Sequence, residues 1–246
     1  LLWLAVALLL ACPARAQVAA DDGGFPDQPV RALVTPRIES TLSSQLAARI
    51  ERIEVEDGQR FRRGDVLVTF DCDVERAYLK KAEAELWGAE HSLEAKRKLE
   101  KRRAVSALDV RLAEAAIRRA EAELAIMQKQ VQRCRITAPY QGRVVEVIAR
   151  AYENVTPGDP LLKILDDSHL GAEILAPAGW SRWLKPGVAV SITIEQTGQT
   201  YRARVKRLGA SVDAAGQMLP IYAEIDGVDA DLLPGMSGAA TFVRPP

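Results

Sequence analysis

Aromatic residues make up only 5% of this 246-residue chain, which argues against a sugar-binding or base-stacking surface. There are two histidines and three cysteines, with no Cys-x-x-Cys, too little material for a zinc site. Met127, Met218 and Met236 are too few and too dispersed for a soft-metal relay. An excess of either charge is also missing: 33 Lys+Arg balance 33 Asp+Glu, so no large nucleic-acid-binding face is expected. No phosphate-binding glycine loop, nucleophile elbow or metal-ligand spacing occurs. His91 sits beside Glu90 and Glu94 in a helical stretch, and His169 has no Cys or second His nearby. The chain reads as a non-enzyme without a cofactor. Nor does any hydrophobic run reach the ~20 residues of a membrane-spanning helix.

The longest such run, Leu1 to Ala11, has the length of a signal-peptide core. Ala14-Arg15-Ala16 fits the small-x-small cleavage rule, which makes residues 1–16 a signal peptide and the mature protein an exported one. An alternative takes Leu9-Leu10-Ala11-Cys12 as a lipoprotein box, with Cys12 lipidated and the protein anchored to a membrane. Residues 17–28 read as a polar, glycine-containing linker.

Two β-rich stretches, 29–72 and 134–168, flank a helical stretch at 73–133. The flanks share a pattern. Val55-x-x-Gly58 and Phe61-x-x-Gly64-Asp65 stand between strands in the first, and Val155-x-x-Gly158-Asp159 stands between strands in the second. Each flank has too few strands to bury a core alone, so the two should pack together. A third β region, 169–246, has several short strands and reads as a small barrel.

Residues 73–133 contain no proline and one glycine, Gly88. Leu79, Ala82, Leu86, Ala89 and Leu93 recur at spacings 3, 4, 3, 4, as do Val110, Ala113, Ile117, Ala120, Leu124, Met127 and Val131. Both are heptad seams. Folded back on itself, the segment pairs Leu79 with Met127, Ala82 with Leu124, Leu86 with Ala120, Ala89 with Ile117 and Leu93 with Ala113, each pair of numbers summing to 206. In four of these five pairs a large residue faces an alanine. The segment reads as an antiparallel coiled-coil hairpin bending near residue 103, with Ser106 and Asp109 capping the second helix.

A β domain in two halves, split by a helical hairpin and followed by a small barrel, resembles the periplasmic adaptor (membrane fusion protein, HlyD-type) family. ITAPYQGRVVEV through VTPGDPLLKI resembles that family's lipoyl-like signature, RIERIEVEDGQRFRRGDVLVTFD its partner half, and LLPGMSG the end of its barrel. The resemblance implies an elongated, mixed α and β multidomain fold, in which a lipoyl-like β-sandwich is split by the hairpin and followed by the barrel. It implies an efflux adaptor linking an inner-membrane transporter, of the resistance-nodulation-division type, to an outer-membrane channel. It further implies a homo-oligomeric ring or funnel, commonly a hexamer. The chain departs from many family members in stopping soon after the barrel, so a shortened adaptor is expected.

Family hairpin tips that dock the channel often carry Arg, then Leu four on, then Ser seven further. Leu99 and Ser106 hold the last two places and Ala95 the first. Arg102 and Arg103 belong to a basic tip that could meet an acidic channel rim. Two other readings remain: an exported coiled-coil scaffold unconnected with transport, and a lipoyl or biotinyl carrier. The carrier's modified lysine would need the turn that residues 73–133 replace.

Cys72 and Cys134 also sum to 206, seven residues outside Leu79 and Met127. They face each other at the hairpin base and, in an oxidising compartment, should form a disulfide. The alternative is two reduced cysteines acting as small buried hydrophobes.

Overall fold

The structure is a computed structural model that describes residues 29–242 apart from 228 and 230. The signal segment, Cys12 and the linker lie outside the described residues. The chain runs β1 (Val30–Ser43), β2 (Ala48–Ile53), β3 (Arg60–Phe61), β4 (Val66–Phe70), α1 (Asp73–Lys101), α2 (Ala107–Gln132), β5 (Arg135–Thr137), β6 (Gly142–Val147), β7 (Asn154–Val155) and β8 (Pro160–Pro177). A short 3-10 turn, Ala178–Arg182, precedes β9 (Ala189–Ile194), β10 (Thr200–Leu208), β11 (Met218–Ile225) and β12 (Ser237–Phe242). Among the described residues no helix is long and apolar enough to cross a membrane.

The two β flanks interdigitate. Strands β2 and β7, β3 and β6, and β4 and β5 pair antiparallel, so every one of these ladders joins one half to the other. One sheet runs β5-β4-β2-β7; β3 and β6 join the first part of β8 and the last part of β1 in the other. Their inner faces enclose Ile50, Leu67, Phe70, Val144, Leu161, Leu162 and Ile164. The repeated sequence pattern becomes a repeated turn. Gly64 (φ 90°) donates its N–H to Ala138 O at 2.8 Å, and Ala138 N–H returns to Asp65 O at 2.9 Å. Gly158 (φ 100°) donates to Ser44 O, and Ser44 N–H returns to Asp159 O, both at 2.9 Å. Each turn is closed by its aspartate, which accepts from Arg62 N–H or Thr156 N–H at 2.7 Å. The left-handed glycine and the acceptor after it are what the Gly-Asp pairs supply.

The barrel is closed by six strands, in the order β1-β12-β9-β10-β11-β8 and back to β1. Closure leaves no open edge. Its interior holds Ala32, Val34, Leu170, Ile174, Ile192, Ile194, Val205 and Ile221. The expected barrel segment, 169–246, therefore lacks one strand: Val30 to Leu33 pair with β12, and Ala32 to Pro36 with β8. Both β1 and β8 run through barrel and sandwich, with a break in their register between Pro36 and Ile38. At that joint Asp167, its side chain only 10% exposed, meets Arg60 at 3.1 Å and Arg143 at 3.5 Å. His169 lies here too, its Nδ1 3.0 Å from Ser168 Oγ.

Candidate docking hairpin

Helices α1 and α2 have 29 and 26 residues, so each reaches about 40 Å at ~1.5 Å per residue. Leu79, Ala82, Leu86, Ala89 and Leu93 on α1 are buried or half-buried, as are Val110, Ala113, Ile117, Ala120, Leu124, Met127 and Val131 on α2. Leu93, Val110 and Ala113 form a buried cluster flanked by Val105 and Ile117. Arg97 Nη2 donates to Glu114 Oε1 across the helices at 2.9 Å. The helices thus pack antiparallel along this row.

At the far end, Arg102 and Arg103 are exposed, and Arg103 turns the chain with a φ of 56°. Leu99 is 41% exposed. Ser106 instead opens α2. Its Oγ accepts from Asp109 N–H at 3.2 Å, while Asp109 Oδ2 accepts from Ser106 N–H at 3.0 Å and from its Oγ–H at 2.6 Å. This reciprocal capping box satisfies donors that a helix start leaves free. The structure therefore places Leu99, Arg102, Arg103 and Ser106 on the exposed tip, with the Ser106 hydroxyl engaged in the cap.

The bond from the Ser106 hydroxyl, and then that from its backbone N–H, hold the Asp109 carboxyl below its usual range. A depressed carboxyl stabilises the fold above its unfolded pKa and loses that contribution as pH falls through the folded one. The side-chain carbon of Asp109, followed by NMR, should titrate below the usual aspartate value of about 3.9. Ser106→Ala should return the midpoint toward that value and cost the helix start about 1 kcal/mol. An unchanged midpoint would mean that the cap does not form in solution.

The base is where the hairpin meets the sandwich. Cys72 and Cys134 are joined by a disulfide, with their Cα atoms 6.1 Å apart and a sequence separation of 62. Both are buried. Phe70 N–H donates to Cys134 O at 2.9 Å, so β4 continues into the crosslink. The Glu75 carboxylate lies within 4.8 Å of both sulfurs, but sulfurs bonded to each other offer no thiolate to a metal. Arg49 and Asp71, 2.9 Å apart, brace the same corner from β2.

One set of residues escaped the sequence reading: Leu108, Leu112 and Ile126 on α2, all more than half exposed, and Trp87 on α1, 62% exposed and stacked on His91 at 4.1 Å. The signal was present, since they fall at helical spacing on the face away from the seam.

No protein-family model matches the chain. It is 28% identical over 217 residues to an uncharacterized protein of Haemophilus influenzae, a match covering 87% of this chain and 56% of that protein. The chain thus spans little more than half the length of that relative. Among solved structures, it is similar to a MacA–MexA chimeric protein containing the Pseudomonas aeruginosa MexA α-hairpin domain. The TM-score is 0.78 at 20% identity, over 87% of this chain and 79% of that one. It is also similar to the membrane fusion protein Spr0693 from Streptococcus pneumoniae, with a TM-score of 0.75 at 17% identity, over 89% and 99% of the two chains. The chain has the fold of the membrane fusion, or periplasmic adaptor, proteins, and the resemblance drawn from its motifs holds at that level.

Proposed function

We propose that the protein is the adaptor subunit of an efflux pump. In this reading it is exported to the periplasm and links an inner-membrane transporter, of the resistance-nodulation-division type, to an outer-membrane channel. The hairpin, residues 73–133, acts as a coiled-coil docking rod, with Leu99, Arg102, Arg103 and Ser106 meeting the channel. The Ser106–Asp109 cap shapes the tip that presents them. The sandwich built from 29–72 and 134–168 is the rigid platform, and the barrel faces the transporter. Several copies form a ring or funnel around the conduit, a hexamer by the family's habit.

The observation that carries this reading is a long two-helix hairpin rooted in an interdigitated sandwich, with a closed barrel joined by two continuous strands. A rod clamped to a platform transmits position, and a joint of two strands lets barrel and rod keep their order along one axis. This arrangement makes no demand on catalysis or a cofactor.

The test is efflux in a strain from which the gene is deleted. The deletion strain should accumulate pump substrates and be restored by the full chain. Leu86→Asp places a carboxylate in the seam opposite Ala120 and should destabilise the hairpin by roughly 2–3 kcal/mol. That variant should be exported normally and fail to restore efflux. Full activity from Leu86→Asp, or no efflux phenotype on deletion, would contradict the reading.

A further inference from the structure

The base of the hairpin gathers three side chains of metal-ligating chemistry. Cys72 Sγ, Cys134 Sγ and a carboxylate oxygen of Glu75 all lie within 4.8 Å of one another. Cys72 is the N-cap of α1, yet its side chain makes no capping bond. The Glu75 carboxylate has no hydrogen-bond or ion-pair partner among the described residues. Both cysteines are buried and Glu75 is half-buried, so the carboxylate marks the side of the cluster that faces solvent. The cysteine count spoke against a zinc site because the two sulfurs stand 62 positions apart in sequence. The return of α2 brings them together.

The backbone holds these ligands independently of the bond between the sulfurs. Just before Cys72, Asp71 N–H donates to Arg49 O at 2.9 Å, and just after it Arg76 N–H donates to Cys72 O at 3.0 Å. Cys134 N–H donates to Val131 O at 3.1 Å, and Cys134 O accepts from Phe70 N–H at 2.9 Å. The Cα atoms of the two cysteines are held 6.1 Å apart between these anchors. Opening the sulfur–sulfur bond removes a side-chain constraint and leaves the anchors in place, so the two thiols stay face to face. Two sulfurs on one tetrahedral zinc sit about 3.8 Å apart at ~2.3 Å per bond, a separation this base can supply.

We infer that reduction turns the hairpin base into a binding site for a divalent cation of the zinc class, with Cys72, Cys134 and Glu75 as its ligands. The reductant is a dithiol. Its two thiols become a disulfide, the Cys72–Cys134 bond breaks, and two S–H groups form. The cation then displaces both thiol protons to solvent and takes two thiolates and one carboxylate, with water as the fourth ligand from the open side. The soft sulfurs select zinc over magnesium or calcium, which seek oxygen. Three anionic ligands around a dication leave one net negative charge, and the positive end of α1 lies beside it. Metal and disulfide are thus alternative crosslinks of one base, and the hairpin stays clamped in either state. None of this depends on which transporter or channel the chain meets.

The test uses the full chain, purified oxidised, then reduced with dithiothreitol and freed of it without oxygen. Cobalt(II) is the spectroscopic probe and zinc its competitor. The reduced chain should bind one equivalent of cobalt, with sulfur-to-cobalt charge-transfer absorption and the visible bands of a tetrahedral site, and zinc should bleach both. The oxidised chain should show neither. Glu75→Gln should weaken cobalt binding by at least about tenfold, the loss seen even for outer partners of a metal ligand. The same variant should leave the melting temperature of the oxidised chain unchanged, which separates a lost ligand from a lost fold. Cys134→Ser should abolish the charge-transfer band. Zinc should slow alkylation of Cys72 and Cys134 in the reduced chain and raise its melting temperature, with no effect on the oxidised chain. No charge-transfer absorption in the reduced chain, or equal cobalt affinity in the Glu75→Gln variant, would overturn the inference.

Discussion

Replacing Cys72 and Cys134 together by alanine should destabilise the protein by about 4 kcal/mol, the chain-entropy value for a loop of this length. The two cysteines close a loop spanning 62 residues of sequence separation, and that loop contains the whole hairpin. Without the crosslink, the base of the hairpin is held to the sandwich by backbone bonds such as Phe70 N–H to Cys134 O and by the Arg49–Asp71 ion pair. The loss should therefore appear first at the base. Hydrogen exchange should speed up in residues 73–79 and 127–133 before it does so in the sandwich core. Both thiols should resist alkylation in the exported protein and become reactive only after reduction. Free thiols at both positions would contradict the clamped base while leaving the fold intact.

Gly142→Ala should be comparably damaging for a different reason. Gly142 opens β6 and pairs with Phe61 of β3. A Cβ built there falls inside van der Waals contact with the carbonyl oxygen of Leu165 on β8, and that atom is backbone. Neither strand can give way without breaking the ladder that links the two halves. The expected cost is about 3 kcal/mol, or roughly 6–12 °C in melting temperature. Gly88→Ala, in the open middle of α1, should instead stabilise the helix by up to about 1 kcal/mol. Measuring both by thermal denaturation sets a clash against a propensity in one protein. Equal effects would contradict the packing described for β6.

Features of this fold were legible in the sequence wherever their cause is local. The hairpin's halves announce themselves through helix formers and a 3, 4 spacing, because burial in a two-helix pair follows that repeat. The turns at Gly64 and Gly158 were visible because a left-handed backbone selects glycine. The cap at Ser106 and Asp109 was visible because four residues contain all its atoms. By contrast, the barrel's dependence on β1 rests on partners far away in sequence, Ser237 to Ala240. Nothing in Val30-Arg31-Ala32-Leu33-Val34 marks it as a barrel strand, since period-two burial suits either β body. The exposed set on α2, Leu108, Leu112 and Ile126, was hidden for another reason. Arg119 interrupts it, and the stronger inner seam satisfies the helical period by itself.

The most direct test of the adaptor account is crosslinking in intact cells that produce the full chain, with photoreactive residues at the hairpin tip, Leu99 or Arg102, and on the outer wall of the barrel, followed by identification of what is captured. The account predicts an outer-membrane channel from the tip and an inner-membrane transporter from the barrel. Capture of neither, with the exported protein folded and its disulfide formed, would contradict it.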